Sequence, residues 1–487
     1  MTRTSSTHPL QIAEVWFAEG YGAIGITFCP GKKQRGAFTG EWDRDLAIDL
    51  EVVQAWNAAA VVTLLEDHEF SKLGVTGLGQ AVEDRHMQWY GLPIRDVSTP
   101  DQAFEDRWAS AGEELRAILR DGFNVLVHCK GGLGRAGMTA ARLLIELGMK
   151  PQNAIDLVRE ARPGAIETPA QMQFVRDMAV IPERRPQSSR EAIEDRALGA
   201  MIGLAVGDAV GTTLEFKPRD QAPRLVDMVG GGPFRLKPGQ WTDDTSMALA
   251  LMDSLLTNER LDEGDLLTRF VDWHENGTYS SAGRCFDIGI TTRGALARWK
   301  TSGDSFAGST NPRTAGNGSL MRLAPVAIRY WNDLDLLCDI AARQSRTTHG
   351  APEAVDACVA FAEVLAHAIA GRPRSAVMQL SAEPCSRAIS QIMGGAWRGK
   401  ARDRIASSGY VAHSLEAALW CVGRTGTFAQ AVLLAANLGE DADTTAAITG
   451  QFAGALYGAS GIPPKWKALL ADGGNIEATA RQLFAAN

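Results

Sequence analysis

Apolar residues follow one pattern before a polar stretch at residues 181–196 and a different pattern after it. Before this stretch, short continuous apolar runs such as AAVVTLL (59–65) and NVLVHC (124–129) are typical of buried β-strands. They alternate with amphipathic helical segments such as FEDRWASAGEELRAILRDG (104–122). The alternation predicts an α/β domain, with a parallel-type sheet flanked by helices.

After the polar stretch, strand patterns nearly vanish and Ala-rich segments with helical spacing dominate, such as RALGAMIGLAVGDAVG (196–211) and EAVDACVAFAEVLAHAIAG (353–371). Small residues at this spacing let helices pack closely, so we predict a compact all-α bundle. The stretch itself, IPERRPQSSREAIEDR, combines two prolines and two serines with dense charge, as linkers do. We therefore predict domains at residues 1–185 and 197–487, joined by a linker at 186–196.

The composition adds constraints on partners and location. The 487 residues are 45% hydrophobic and 22% charged, with a formal net charge of -8, which argues against a nucleic-acid partner. No apolar run approaches the length of a membrane span, and the N-terminus lacks the apolar core of a signal peptide, so no membrane partner is expected. Seven scattered cysteines without a CxxC pair indicate neither a disulfide framework nor a zinc site and are typical of a reducing cytoplasm.

The segment VLVHCKGGLGRAG (125–137) has the layout of a phosphate-binding loop. A buried strand ends at His128, Cys129 follows, and a glycine-rich stretch leads to Arg135 at the start of a helical pattern. Glycines let backbone N–H groups converge on a dianion, the helix N-terminus adds a positive dipole end, and arginine can hold two phosphoryl oxygens. The same surroundings are expected to lower the pKa of the Cys129 thiol and make it a nucleophile. The predicted phosphate-binding residues are Lys130, Gly131, Gly132, Leu133, Gly134 and Arg135.

A core cysteine beside a glycine-rich turn is the plainer interpretation, but the His-Cys-x5-Arg spacing and the glycine content favour the phosphate site. This spacing resembles the signature of the protein tyrosine/dual-specificity phosphatase superfamily. FCPGKK (28–33) and GLPIRDVSTPD (91–101) are similar to its cyclin-dependent-kinase-associated group. The resemblance implies that Cys129 forms a phosphocysteine, Arg135 binds the phosphoryl group, and Asp96 is the general acid.

The roles of two residues in this half remain open, and a third residue differs from the one that the family usually has. Asp101 is the rival general acid, although an aspartate after proline can simply cap a helix. Gln171 matches the family position that orients water, but it can also be an ordinary exposed helical residue. The family usually has Ser or Thr directly after the arginine, whereas this chain has Ala136, so the resemblance implies slower breakdown of the intermediate.

Four separated polar clusters stand out in the second half, namely GDAVGTTLEF (207–216), GQWTDDTSMAL (239–249), NPRTAGNGSLMR (311–322) and LGEDADTTAAITG (438–450). Carboxylates and threonines at a helix start are ordinarily N-caps, but two of these clusters each hold two aspartates within three residues. Facing each other in an apolar bundle, such acids repel and are costly to desolvate, and a divalent cation resolves this. All-oxygen side chains, without His or Cys, point to Mg²⁺ or Mn²⁺ instead of zinc.

In this order the clusters resemble the ADP-ribosylglycohydrolase family, with a likeness that spans roughly residues 195–470. The resemblance implies an all-α fold with two Mg²⁺ ions, or Mn²⁺ in their place, in a central cleft. One ion would be held by Thr242, Asp243, Asp244 and Asp443, and the other by Glu215, Asp441, Asp443 and Thr444. The implied ADP-ribose contacts are Gly316, Asn317, Gly318, Ser319 and, as a weaker candidate that can equally be a helix cap, His349. Glu440 stands where the family often has a second glycine, and we expect no loss of metal binding from it.

Together the two halves predict a bifunctional cytoplasmic hydrolase, with a phosphomonoesterase and a Mg²⁺-dependent ADP-ribosylglycohydrolase in one chain. The expected partners are a phosphorylated substrate and either an ADP-ribosylated protein or an ADP-ribose-containing small molecule. In the alternative interpretation one domain is a binding module that recruits a phosphorylated partner to an active glycohydrolase. Ala136 makes the phosphatase half the better candidate for that role.

Overall fold

The computed structural model describes residues 2–37, 40–379 and 386–487; Cys385, one of the seven cysteines, lies outside these ranges. Internal contacts divide the chain into two compact units. The first is Met1–Arg184 with Gly423–Gly426, and the second is Arg185–Val422 with Thr427–Asn487. The first unit is a small α/β domain and the second is helical, which confirms the predicted fold class.

The first unit contains a five-stranded sheet with the strand order β1-β2-β7-β5-β6, beside a two-stranded sheet of β3 and β4. The strands are β1 (Ala13–Val15), β2 (Ile24–Phe28), β3 (Lys33–Gln34), β4 (Trp42–Asp43), β5 (Ala58–Thr63), β6 (Gln88–Gly91) and β7 (Asn124–Cys129). β1 pairs antiparallel with β2, and the other neighbours in the larger sheet are parallel, so this sheet is mixed. Because parallel strands end at the same edge, β2, β5 and β7 bring their carboxyl ends together there.

Helices flank this sheet, as the alternating pattern predicts. They are α1 (Leu46–Ala55), α2 (Asp67–Leu73), α3 (Leu78–Glu83), α4 (Gln102–Arg120), α5 (Gly134–Leu147), α6 (Pro151–Ala161) and α7 (Pro169–Arg176). α5 is buried along almost its whole length and starts at the edge where β7 ends. The turn between β7 and α5 is therefore set by two buried elements.

The second unit is built from helices that are mostly apolar and Ala-rich. They are α8 (Arg190–Gly211), α9 (Asp243–Thr257), α10 (Glu263–Asn276), α11 (Ile290–Ser302), α12 (Ala324–Tyr330), α13 (Leu334–Thr348), α14 (Pro352–Ile369), α15 (Arg374–Val377), α16 (Arg387–Met393), α17 (Val411–Gly423), α18 (Phe428–Ala436), α19 (Ala442–Tyr457), α20 (Pro464–Leu469) and α21 (Gly473–Ala485). α8 begins inside the stretch 186–196 that we predict as a linker, because Ser189 caps it by accepting a hydrogen bond from the Ala192 N–H at 3.3 Å.

α8 and α19 are in direct backbone contact through glycines. A Cβ atom on Gly203 would lie 2.2 Å from the carbonyl oxygen of Gly450, and one on Gly450 would lie 2.0 Å from the carbonyl oxygen of Gly203. Gly199 and Gly454 meet in the same way one turn further along. Only hydrogen fits at these positions, so the two helices approach more closely than larger side chains would allow.

The segment Arg190–Leu214 is long and apolar enough to cross a bilayer by length and composition alone. The expectation that no apolar run approaches that length was therefore wrong. In the folded chain 89% of its most apolar 18-residue window is buried inside the protein. Burial on this scale is also what a core helix shows.

Candidate active sites

Cys129 is the last residue of β7, and the loop that follows folds back over its sulfur. The Gly132 N–H donates a hydrogen bond to the Cys129 Sγ at 3.2 Å. Gly132 has a φ of 70°, and a Cβ there would lie 2.5 Å from the backbone of Thr27, so the turn requires glycine. The structure thus places the predicted nucleophile under a loop that offers it the Gly132 amide, just before the N-terminus of α5.

Arg135 is buried, and a carboxylate that sequence analysis did not identify fixes its orientation. Its Nη1 and Nη2 donate to the Glu69 Oε2 and Oε1 at 2.6 and 3.0 Å. Nη1 also donates to the carbonyl oxygens of Leu64 and Ile94, at 3.1 and 3.0 Å. Burial alone would raise the pKa of Glu69, but its hydrogen bonds and the Arg135 charge lower it overall, so it is an anion. This bidentate pair locks the plane of the guanidinium.

The two aspartates proposed as the general acid make different contacts in the structure. The Asp96 Oδ1 lies 3.0 Å from the Arg135 Nη2, and the Asp96 side chain is 53% exposed. Asp101 is the N-cap of α4, where its carboxylate accepts the Phe104 N–H at 2.9 Å. Asp96 therefore lies beside Arg135, the predicted phosphate-binding arginine, whereas Asp101 has the capping role that is its plainer interpretation.

Gln171 is buried, unlike the exposed helical residue of the alternative interpretation. Its Oε1 accepts the backbone N–H groups of Glu167 and Thr168 at 3.1 and 3.4 Å, and its Nε2 donates to the Ser98 carbonyl oxygen at 3.1 Å. Through this contact Gln171 positions Glu167, whose Oε2 accepts the Gly134 N–H at 2.8 Å. An acidic side chain thus occupies one amide of the predicted phosphate loop, which sequence analysis did not foresee.

Two cationic side chains donate hydrogen bonds to carbonyl oxygens of the loop. The buried Lys32 Nζ donates to the Lys130 carbonyl oxygen at 3.3 Å and lies 4.0 Å from the centroid of the Trp42 ring. Burial lowers the pKa of Lys32 to about 8, although the neighbouring Cys29 and Cys129 oppose this. The Arg162 Nε donates to the Gly132 carbonyl oxygen at 3.1 Å. These two side chains thus provide hydrogen-bond donors to two carbonyl oxygens of the loop.

His128 precedes the nucleophile and is fully buried. Its Nε2 lies 2.8 Å from the Thr63 Oγ1. Burial lowers the pKa of His128 to about 3, so the ring is neutral at physiological pH. It therefore adds rigidity to the end of β7 and no charge.

In the second unit, acids from distant parts of the sequence converge where α8, α9 and α19 meet. Carboxylate oxygens of Asp208, Asp244 and Asp443 all lie within 4.8 Å of one another, and so do those of Glu215, Asp441 and Asp443. Asp443 belongs to both groups, as expected for a bridging residue. Asp208 was missed by sequence analysis, although an isolated acid in the apolar segment 196–211 is itself a signal.

Asp208 organises the start of α9. Its Oδ1 accepts the N–H and the hydroxyl of Thr242, both at 2.9 Å. Its Oδ2 accepts the N–H and the hydroxyl of Thr245 at 3.0 and 2.6 Å. The Thr242 Oγ1 also lies 3.1 Å from the Asp244 Oδ2. Asp208 thus holds the helix end that carries Asp243 and Asp244.

Glu215 has the corresponding role at the start of α19. Its Oε2 accepts the N–H groups of Ala442 and Asp443, at 2.7 and 3.2 Å. The Asp443 Oδ1 in turn accepts the Thr444 N–H at 2.7 Å. The Thr444 Oγ1 lies 3.4 Å from the Asp244 Oδ2, which links the two helix ends.

The donor atoms of these acids fit a divalent cation. Among the described residues, the Asp244 Oδ1 and the Asp443 Oδ2 are buried without a hydrogen-bond partner. Burial and then the neighbouring acids raise the pKa values of the group, to about 7 for Asp208 and Asp441 and well above the ordinary value for Asp243 and Asp244. Buried carboxylate oxygens without a donor are stabilised by a cation, and an all-oxygen set suits a hard one. The arrangement can therefore hold a metal ion.

The acids open into a cavity of about 510 Å³. Of the residues predicted from the sequence, those that line it are Glu215, Asp243, Asp441, Asp443, Thr444, Gly316, Asn317, Gly318 and His349. The Asn317 Nδ2 donates to the Asp441 Oδ2 at 2.7 Å, which ties the glycine-rich loop to the acids. Ser319 is fully buried, and its hydroxyl lies 2.8 Å from that of Ser345, so the arrangement gives no support to its predicted ligand contact.

Asp287 also lines the cavity and was missed, because no helix start or acid pair marks it in the sequence. Burial first, and then the charges of Asp243 and Asp443, raise its pKa to about 11. Glu440, the departure from the family pattern, is exposed at the cavity with a φ of 60°. Its backbone is held by Lys217 and Phe216, each at 2.7 Å.

His349 combines its two alternative interpretations. It is the C-cap of α13 and it also lines the cavity. Burial lowers the pKa of His349 to about 3, and its Nδ1 lies 2.8 Å from the Thr348 Oγ1. The buried Arg322 donates to that same Thr348 oxygen at 2.8 Å and to the Gly318 carbonyl oxygen at 3.0 Å. Arg322 therefore fixes both His349 and the glycine-rich loop.

Comparison with known proteins matches each half of the chain separately. Residues 189–487 match the family model described as ADP-ribosylglycohydrolase, and residues 47–180 match that of the Swiss Army Knife protein, DSP-PTPase phosphatase domain. Both matches confirm the resemblances drawn from the motifs.

Individual relatives divide in the same way. The chain is 48% identical over 290 residues to ADP-ribosylarginine hydrolase Tri1 of Serratia proteamaculans (strain 568), which covers 60% of this chain and 79% of that protein. It is 31% identical over 157 residues to Cyclin-dependent kinase inhibitor 3 of Rattus norvegicus, which covers 32% of this chain and 70% of that protein. A solved structure of an ADP-ribosylglycohydrolase-related protein complex is similar with a TM-score of 0.54 and 41% identity, covering 60% of this chain and 98% of that one.

Proposed function

Since the chain belongs to the ADP-ribosylglycohydrolase family and carries a dual-specificity-type phosphatase domain before it, we propose that it is a bifunctional hydrolase. Both domains belong to enzyme families. The second domain is proposed to remove ADP-ribose from a modified protein or small molecule, and the first to hydrolyse a phosphomonoester. We propose a cytoplasmic location, which rests on the scattered cysteines alone.

The observation that carries the glycohydrolase proposal is the pair of acid groups that share Asp443 at the cavity. The family is generally divalent-metal dependent, and these groups can hold a metal ion. We propose two Mg²⁺ ions, with Mn²⁺ as the alternative, held by Thr242, Asp243, Asp244 and Asp443 and by Glu215, Asp441, Asp443 and Thr444. When bound, such ions orient hydroxyl groups and lower the pKa of an attacking water.

The surrounding residues are proposed to bind and orient the ADP-ribosyl group. The loop at 316–318 offers glycine backbone to the cavity, so a ligand can approach without a side chain between them. Asn317 keeps Asp441 in place through its 2.7 Å hydrogen bond. His349, neutral because of burial, offers a hydrogen-bonding ring without a charge. Because one relative is an ADP-ribosylarginine hydrolase, we propose ADP-ribosylarginine as the linkage.

Release of ADP-ribose from ADP-ribosylarginine in the presence of Mg²⁺ tests this activity. Asp443→Asn removes the charge shared by both acid groups, and we expect its rate to fall at least about 100-fold. Asp472→Asn, an exposed acid in the same unit, is the matched control and should keep the parent rate. Absence of release by the parent with Mg²⁺ and with Mn²⁺ would contradict the proposal.

In the first domain we propose that the Cys129 thiolate attacks phosphorus and that the bond to the leaving oxygen breaks as the phosphocysteine forms. Asp96, beside Arg135, donates its proton to that oxygen. Water then attacks phosphorus while the Asp96 carboxylate takes up its proton, and the S–P bond breaks, which releases phosphate and restores both the thiolate and the acid. Ala136, fully buried in α5, offers the sulfur no hydroxyl, so the second step is proposed to be slow.

A binding role for the first domain is the second candidate, and the Glu167 contact favours it. The Glu167 carboxylate occupies the Gly134 N–H, and Ala136 lacks a hydroxyl. Both features are compatible with a domain that binds a phosphorylated partner and hydrolyses it slowly. Hydrolysis of an aryl phosphate, abolished by Cys129→Ser, would support the enzyme. Phosphopeptide binding without hydrolysis, unchanged in Cys129→Ser, would support the binding module.

A further inference from the structure

Two consecutive hydrogen bonds across three neighbouring strands hold the side chain of His128. The Trp89 Nε1 donates to the Thr63 Oγ1 at 2.9 Å, and the Thr63 Oγ1 lies 2.8 Å from the His128 Nε2. Trp89 lies on β6, Thr63 on β5 and His128 on β7. Thr63 and His128 are partners in the parallel register, and both are fully buried. The series of contacts thus ends on the residue that directly precedes Cys129.

The direction of the second hydrogen bond follows from the chemistry of the first. An indole N–H can only donate, so the Thr63 oxygen accepts from Trp89. The Thr63 hydroxyl still has its own proton to place, and a buried O–H without an acceptor is costly. Among the described residues, the other contact of this oxygen is the His128 Nε2. The hydroxyl therefore donates to Nε2, which must be unprotonated.

This contact selects one of the two neutral forms of the His128 ring. Burial lowers the pKa of His128 to about 3, so the ring is neutral and one of its nitrogens carries a proton. Since Nε2 accepts from Thr63, the proton is on Nδ1. No side chain of the described residues is a hydrogen-bond partner of Nδ1. The Cys129 backbone favours the protonated ring against burial, as a carbonyl oxygen near a ring N–H does.

Thr27 shows that strand pairing alone does not produce such a contact. It lies on β2, on the other side of β7, and it is likewise in register with His128 and fully buried. Its Oγ1 donates instead to the Gln11 carbonyl oxygen at 2.8 Å. Two threonines therefore flank His128 in the sheet, and Thr63 is the one that contacts the ring.

We propose that Thr63 is a positioning residue that fixes His128 in the Nδ1–H form. Trp89 orients the Thr63 hydroxyl for this contact. The Nδ1–H then restrains the Cys129 backbone where the predicted phosphate-binding loop begins. In the other form the Nδ1 lone pair would face the same backbone and repel its carbonyl oxygen. This inference rests on the proposed role of Cys129 as the nucleophile and adds residues that act on it through His128.

Long-range ¹H–¹⁵N NMR of the full-length protein, labelled at histidine, identifies the nitrogen of His128 that carries the proton. In the parent, and in Thr63→Ser, which keeps the hydroxyl, we expect Nδ1 to be protonated. In Thr63→Val, which replaces the hydroxyl by a methyl group, both forms should be populated. Thr27→Val, matched in register and burial, is the control and should leave the His128 signals as in the parent. A parent with the proton on Nε2, or an unchanged ring in Thr63→Val, would overturn the inference.

The effect on Cys129 is measured separately, as the rate at which iodoacetamide alkylates it, with mass spectrometry of the peptide that contains it. For Thr63→Val we expect alkylation to slow about threefold and kcat on an aryl phosphate to fall about tenfold, with Thr63→Ser close to the parent. Urea unfolding verifies that the variants fold. Parent-like values of both rates in Thr63→Val would overturn the inference. A parent with the expected ring form and alkylation rates that hydrolyses no aryl phosphate would instead contradict the proposed function.

Discussion

Glu69 makes the orientation of Arg135 a property of the free protein, before any phosphate binds. In Glu69→Gln one of the two charge-assisted bonds to Arg135 is lost, so the guanidinium can rotate. We expect the affinity for inorganic phosphate to fall about tenfold. Isothermal titration checks this, with Asp67→Asn, an exposed acid on the same helix, as the control. Equal affinities in the parent and Glu69→Gln would show that Arg135 is held by other contacts.

Glu69 favours phosphate binding, whereas Glu167 is expected to weaken it. The Glu167 carboxylate competes with an anion for the Gly134 N–H. In Glu167→Gln the negative charge at the N-terminus of α5 disappears, and we expect inorganic phosphate to bind about three- to tenfold more tightly. Glu160→Gln, an exposed acid on α6, provides the comparison and should leave the affinity unchanged. Weaker phosphate binding by Glu167→Gln would mean that the carboxylate shapes the loop more than it blocks it.

Burial of Lys32 makes the stability of the first domain depend on pH, and the direction of this dependence follows from the lowered pKa. Its folded-state pKa of about 8 lies below the ordinary 10.5, so between these values the unfolded state binds more protons and stability rises with pH. The neighbours that share this environment are Cys29, Cys129, Arg44 and Lys130.

Lys32→Met removes that buried charge and should raise the free energy of unfolding at pH 7 by about 1–3 kcal/mol. The rise in stability between pH 8 and 10.5 should flatten in this variant, and phosphate should bind more weakly because a nearby cation is lost. Urea unfolding across this pH range measures the effect, with the adjacent exposed Lys33→Met as control. A less stable Lys32→Met at pH 7 would show that its ring contacts matter more than its charge.

Among the elements, α8 and α19 decide the geometry of the acid groups, because their glycines set how closely the helices approach. Gly203→Ala places a methyl group against the Gly450 carbonyl and should lower the free energy of unfolding by about 1–3 kcal/mol, although alanine favours helices. It should also weaken Mg²⁺ binding, since Asp208 and Asp443 lie on these two helices. Gly474→Ala in α21, where the added methyl meets nothing within 4 Å, should raise stability slightly. A stable Gly203→Ala with unchanged Mg²⁺ affinity would contradict this account.

Local elements could be predicted from the sequence because their signals are local. The strand, glycine-rich turn and helix around Cys129 occupy one continuous segment, and the pairs Asp243–Asp244 and Asp441–Asp443 mark two helix starts. The α/β and all-α patterns likewise repeat within each half. These features were sufficient to predict that Cys129 ends a buried strand before a glycine-rich loop and that most of the acids lie together.

Residues that act through distant partners could not be found in this way. Glu69 meets Arg135 across 66 positions and Asp208 meets Thr242 across 34, so neither is marked by its neighbours. Ser319 shows the converse, because it belongs to the glycine-rich motif but faces Ser345 in the core. The start of α8 was predicted as linker because the first turn of this helix is rich in charged residues, as linkers are.

For the whole molecule, the two units hold two chemically different sites. The first has a thiol, Cys129, that accepts the Gly132 N–H, with the buried Arg135 in the helix that follows. The second gathers carboxylates that repel one another unless a cation is present, as their raised pKa values indicate. Both domains belong to enzyme families, so one chain combines two kinds of hydrolase domain.

Anomalous diffraction from crystals of the full-length protein grown with Mn²⁺ would locate any metal ion bound by the acid groups. We expect two peaks, one between Asp244 and Asp443 and one among Glu215, Asp441 and Asp443, and neither peak in crystals of Asp443→Asn. Saturating Mn²⁺ that gives no peak at these carboxylates, or peaks only on the surface, would contradict this expectation.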